Sequence, residues 1–279
     1  MKRFKYSWLF AIIVLIAACS KKDTAIEPLN EIEGLSLVKA FTNSNHTVNL
    51  YTTNGKLSTG YNELFFQITN PDGSLVNNAS ATWLPVMHMH SMSHSCPAST
   101  VAKKSGATAT YAGYIVFQMA GNNMEYWELT INYTINGIDY SVTEKINVTA
   151  APKRVVESFQ GSDGKRYIIG LVQPTTPKVA LNDISAVLYQ MENMNKFTPV
   201  NNYTIKIDPR MPGMGNHGSP NNVDLTQAND KIYYGKLSLT MTGYWKINLQ
   251  LLNATGTLLK GEPVTTERES SSIYFETEF

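Results

Sequence analysis

The sequence predicts an all-β protein made of two tandem β-sandwich domains, and three observations carry that prediction. From residue 35 onward no segment shows an apolar stripe at helical spacing; short runs rich in Val, Ile, Thr, Tyr and Phe alternate with polar residues instead. Asn70-Pro-Asp-Gly73 and Asn136-Gly137 punctuate those runs, because Gly and Asn accept the positive φ that tight turns require. The third observation is internal repetition: the stretch from Tyr111 lies over the stretch from Tyr233.

Taken in chain order, the first element is an address. Lys2, Arg3 and Lys5 precede an apolar run from Trp8 to Ala18, too short for a membrane span, which needs about 20 apolar residues. Its proportions are those of a secretory signal over residues 1–18. Ile16-Ala17-Ala18-Cys19 resembles the lipobox of bacterial lipoproteins, which implies that Cys19 is the lipidated first residue of the mature chain. Residues 19–34 are polar and read as a tether. The Ser-Lys-Lys-Asp start resembles lipoproteins of the Bacteroidota group, and the serine after Cys19 favours the outer over the inner membrane by the same analogy.

Six runs of the first half then read as strands: residues 46–53, 62–70, 81–86, 111–119, 125–135 and 140–150. Ala150-Ala-Pro-Lys153 is the natural boundary, giving sandwiches over 35–150 and 153–279. In the repeat, Tyr111 matches Tyr233, Gly113 matches Gly235, Met119 matches Met241 and Gly121 matches Gly243. Tyr126-Trp127 matches Tyr244-Trp245. Upstream, Asn62-Glu63-Leu64 parallels Asn182-Asp183-Ile184, and Pro85-Val86-Met87 parallels Pro209-Arg210-Met211. The paired tryptophans are expected to anchor the two cores. Met119, Met124, Met191, Met194 and Met241 are expected to fill gaps in them.

Charge removes one class of function. The chain has 23 basic and 22 acidic residues, and without Lys2, Arg3 and Lys5 it is slightly acidic. No basic face is available to displace counterions from nucleic acid. Two cysteines are too few for a disulfide scaffold.

The informative residues are soft donors. Residues 85–97, PVMHMHSMSHSCP, hold Met87, His88, Met89, His90, Met92, His94 and Cys96. Residues 208–220, DPRMPGMGNHGSP, hold Met211, Met214 and His217 at the equivalent place in the second copy. Only His46, of five histidines, lies elsewhere. Thioether, imidazole and thiolate together select Cu(I), whereas Mg²⁺ and Ca²⁺ want oxygen and zinc rarely uses Met. In an extended strand Met87 and Met89 point to one side and His88 and His90 to the other, so a site needs a turn. The Gly/Pro-rich second segment reads as a loop in which a spacing of three could converge Met211, Met214 and His217.

The loop Met211-Pro-Gly-Met-Gly-Asn-His217, followed by Tyr233-Tyr-Gly235 and Met241-Thr-Gly-Tyr-Trp245, resembles the YtkA-like and FixH-like β-sandwich domain families. That resemblance covers most of residues 180–255 and implies an immunoglobulin-like fold in a copper-handling or oxidase-assembly setting. The first copy departs from the pattern, with Met-His-Met-His in place of Met-Pro-Gly-Met.

No phosphate-cradling glycine loop, His-Glu-x-x-His or Gly-x-Ser-x-Gly motif is present, and no paired carboxylates suit acid–base work, so no enzyme is expected. Two functions follow as expectations. One is a membrane-anchored copper protein that buffers Cu(I) or delivers it to an envelope acceptor or transporter. The other is a non-catalytic structural or interaction lipoprotein in which metal is incidental.

Overall fold

The protein is all-β, and its strand ladder follows from the period-2 burial of its runs. The structure, a computed structural model, describes residues 30–279, so the signal segment and Cys19 lie outside the described residues. The first half holds β1 (Ser36–Thr42), β2 (Thr47–Thr52), β3 (Leu57–Ser58), β4 (Gly60–Thr69), β5 (Ser80–His88), β6 (Ser93–His94), β7 (Ala102–Lys103), β8 (Thr110–Phe117), β9 (Tyr126–Ile135), β10 (Ile138–Ile146) and β11 (Val148–Thr149). They form one sheet in the order β1-β2-β4-β8-β7, a facing one in the order β10-β9-β5-β6, and a separate parallel pair of β3 and β11. This is an immunoglobulin-like arrangement: β2, β4, β8 and β7 take the places of strands A, B, E and D, and β5, β9 and β10 those of C, F and G. Strand β1 is added beyond A, and β6 beyond C.

The second half holds β12 (Val156–Gln160), β13 (Arg166–Gln173), β14 (Ala180–Asn193), β15 (Lys196–Pro199), β16 (Thr204–Met211), β17 (His217–Gly218), β18 (Val223–Gln227), β19 (Tyr233–Leu239), β20 (Tyr244–Leu252), β21 (Leu258–Lys260) and β22 (Tyr274–Glu278). Its order β12-β13-β14-β19-β18 repeats β1-β2-β4-β8-β7, and β22, β20, β16 and β17 repeat β10, β9, β5 and β6. One difference stands out: β18 bonds to both β19 and β16, so the two layers become one continuous 11-stranded sheet.

The repeat read from sequence recurs in the hydrogen bonds of its matched asparagines and tryptophans. Asn62 Oδ1 accepts from the Ser58 amide, and its Nδ2 donates to the carbonyls of Ser58 and Gly60. Asn182 makes the same three bonds, to the Lys178 amide and to the carbonyls of Lys178 and Ala180. Trp127 Nε1–H donates to the Met119 carbonyl at 2.9 Å, and Trp245 Nε1–H to the Met241 carbonyl at 3.0 Å. Each indole is fully buried with its donor satisfied. Leu64 sits opposite Gly113, and Ile184 opposite Gly235.

Each half encloses its own core. Phe41, Leu50, Phe66, Trp127 and Ile131 lie between the first pair of layers, and Tyr167, Ile184, Leu237, Trp245 and Phe275 between the second. A third cluster forms a seam between the halves. Val116 of β8 meets Ile168 of β13 and Val187 and Tyr189 of β14, all buried, and the Tyr114 and Tyr189 hydroxyls are 2.8 Å apart. A Cβ at Gly170 would lie 3.0 Å from Val116 Cγ1, so the absent side chain lets the sheets approach. Glu31–Phe279 is one compact unit.

Four residues expected in the tether belong to that unit. Glu31 leads a turn, and its carboxylate accepts from the amides of Thr108 and Ala109 and the hydroxyls of Thr108 and Thr110. Burial alone would raise this carboxyl, but those hydrogen bonds outweigh it and hold the pKa at about 2.

Candidate metal centre

Both candidate segments fold as hairpins at the same end of their sandwiches, because each continues a core strand past its last buried residue and returns. In the first, Met87 pairs with His94 and His88 with Ser93, and the Met89 amide donates to the Met92 carbonyl at 2.9 Å. Cross-strand partners share a face and neighbours along a strand alternate. Met87, Met89, Met92 and His94 therefore occupy one face, and His88 and Ser93 the other.

Burial grades the donors on the first face. Met87 is fully buried in the core, Met89 is half-buried against it, and Met92 is 48% exposed. His94 is half-buried, with its ring edge-on to Trp127 at 5.6 Å. Its Nδ1 lies 2.8 Å from the Ser95 carbonyl oxygen. A carbonyl only accepts, so in the neutral imidazole this contact places the proton on Nδ1 and leaves the Nε2 lone pair available. Holding one imidazole nitrogen on a backbone carbonyl is the usual way a ligating histidine is oriented.

The opposite face is occupied otherwise. His88 stacks on Tyr126 at 4.9 Å, and its Nε2 is 3.5 Å from Glu128 Oε1, too far for a hydrogen bond. Lys145 Nζ sits 3.5 Å from the Tyr126 ring centroid. His90 lies exposed at the tip. Cys96 is a free thiol 3% exposed within the core, and burial pushes its pKa well up, which disfavours the thiolate a metal would need.

The second hairpin opposes Met211 and His217 across β16 and β17, as the first opposes Met87 and His94. Pro212–Met214 forms a single 3₁₀ turn, and Gly215 and Asn216, both at positive φ, swing the chain back. Met211 is 6% exposed, and a Cβ at Gly243 would come within 3.1 Å of its ε-methyl. Met214 and His217 are exposed. The expected convergence of all three is not what the loop does, because Met211 turns into the core while Met214 rides on the outside. Arg210 is held by Asp208 through Nε and Nη2 at 2.7 and 2.9 Å, and Asn216 Nδ2 donates to the Glu269 carbonyl.

Among the described residues, no group of three or more His, Cys, Asp or Glu is placed to hold a metal ion. One element had no place among the candidate donors: the Ser95 amide donates to the carbonyl of Met194, in the turn between β14 and β15, at 2.8 Å. Met194 was expected in a core, yet it is 44% exposed, and Met124 is 83% exposed. The polar flanks Glu192, Asn193, Asn195 and Lys196 were the available signal that Met194 sits in a turn.

The fold and hairpins define a duplicated immunoglobulin-like β-sandwich protein. No family model matches the chain, and no curated protein does. Among solved structures, the chain is similar to the Escherichia coli adhesin FdeC, at 14% identity and a TM-score of 0.23, over 73% of this chain and 59% of that one. It is also similar to a DUF4785 family protein from Legionella pneumophila, at 9% identity and a TM-score of 0.26, over 77% and 55%. The chain thus spans under two thirds of either structure, and likenesses this slight carry no functional information.

Proposed function

We propose that the chain is a non-catalytic, lipid-anchored envelope protein that holds Cu(I) in its first hairpin, through Met89, Met92 and the Nε2 of His94. The observation that carries this reading is the shared face of Met87, Met89, Met92 and His94, with the His94 ring fixed on the Ser95 carbonyl. Two thioethers and an imidazole suit a soft monovalent ion, and each thioether bond is weak enough to be replaced stepwise by ligands of an envelope acceptor or transporter. The anchor rests on Cys19.

A second reading is favoured by the burial of Met87, Cys96 and Met211. On this reading the hairpins are structural, and exposed Met92 and Met194 offer a protein-binding surface. Anaerobic titration of the protein with Cu(I) against a chromophoric chelator separates the two. Copper retained by the wild type and lost by Met89→Leu/Met92→Leu/His94→Gln supports the first; indifference to those changes supports the second.

A further inference from the structure

The first hairpin is not finished by its own half of the chain. Strand β6 is an edge strand, and the next residue along it, Ser95, donates its amide to Met194 of the other half at 2.8 Å. Backbones bonded in this way bring Cα atoms to about 5 Å, and a methionine has three rotatable bonds with which to reach from there. The Met194 backbone therefore lies beside Ser95, the residue after His94, and its exposed side chain is committed to neither core.

The turn that carries Met194 is positioned by the seam. Strand β14 presents Val187, Tyr189 and Met191, every second residue, to the cluster shared with β8, and then runs on to Met194. The tyrosine hydroxyl contact and the close approach at Gly170 fix that strand against the first sandwich. Among the described residues no segment of the other half meets the second hairpin in this way; its tip is tied to its own half through Asn216 and Glu269.

We infer that Met194 supplies a further thioether to the metal held by the first hairpin, so that Cu(I) bridges the two sandwiches; this rests on the Cu(I) reading of that hairpin. A thioether is a donor that Cu(I) accepts beside two others and an imidazole, and loading then ties the seam together.

The test uses the full chain in detergent, titrated anaerobically with Cu(I) against a chromophoric chelator, with X-ray absorption counting sulfur neighbours. Met194→Leu is expected to keep the stoichiometry, weaken affinity roughly tenfold (about 1.4 kcal/mol) and remove one sulfur. Met194→His is expected to restore part of the affinity and to replace that sulfur by nitrogen. If Met194→Leu binds as the wild type while Met89→Leu binds more weakly, the inference is overturned and the hairpin site stands. Weaker binding by Met194→Leu with an unchanged sulfur count also overturns it, since Met194 would then act only by positioning Ser95. If Met89→Leu and His94→Gln both bind as the wild type, the hairpin site fails and the inference fails with it.

Discussion

The hairpins β5–β6 and β16–β17 are the same object twice up to one residue pair, and different beyond it. Met87 opposite His94, beside Trp127, repeats as Met211 opposite His217, beside Trp245. Past that pair the first hairpin turns tightly through His90 and Ser91, with Met89 and Met92 facing each other, and it leans on the other half through Ser95. The second takes a wider path through Pro212–Met214, Gly215 and Asn216 and is braced by Arg210 and Glu269. Residues that pack a core recur because the same volume must be filled. Tip residues carry no such constraint, so ligand chemistry can differ between copies without disturbing either sandwich.

The largest effect should come from the shared pair. Met87→Ala is expected to cost about 2–5 kcal/mol, and Met211→Ala to fall in the same range, as read by urea unfolding. A loss under about 1 kcal/mol at Met87 would break the claim that the two methionines are equivalent core residues. Next, Met89→Leu/Met92→Leu/His94→Gln should weaken Cu(I) binding about 100-fold, or about 2.7 kcal/mol, whereas Met214→Leu/His217→Gln should change it less than about threefold. Equal losses from both sets would make the hairpins functionally alike.

The asparagine brackets compare the halves at lower cost. Asn62 is 9% exposed and makes three backbone bonds, so Asn62→Ala should cost about 1–3 kcal/mol; Asn182, less buried, should cost about 1 kcal/mol. Equal values would mean that burial adds nothing to these brackets. The smallest effect belongs to Glu31, whose latch has no counterpart in the second half among the described residues. Its folded pKa lies below the unfolded one, so its contribution is present above about pH 4.5 and lost as pH falls towards about 2. Solvent screening reduces that contribution to about 1 kcal/mol. Glu31→Gln should lower the melting temperature at pH 7 by a few degrees, and the gap from wild type should close between pH 4.5 and 2.

Much of the architecture was legible because it rests on short-range rules. Alternation placed β2, β5 and β9; Asn136-Gly137, both at positive φ, closed the β9–β10 turn; and Asn62/Asn182, Gly113/Gly235 and Trp127/Trp245 marked the repeat. The donor segments were also legible as segments. What could not be read was depth. Whether Met87 or His88 faces the core depends on a register set by β9, which pairs Met87 with Trp127. Cys96 looked like a ligand beside three histidines, but the segment after β6 carries it into the core. The Ser95–Met194 bond joins residues about a hundred positions apart, and no local pattern encodes such a meeting. Nor did any run announce that β18 would bond to both of its neighbouring layers.

That last feature governs how each half treats foreign polypeptide. In the second half β18 uses its amides and carbonyls on β16 and β19, leaving no free rim there for another chain to extend. The matching rim of the first half carries only two-residue β6 and β7 and the single Ala98–Ile115 bridge. Its protection comes from elsewhere, by laying the Met194 turn against Ser95. A chain cut after the first sandwich would bare that rim, so strand addition and self-association should begin there.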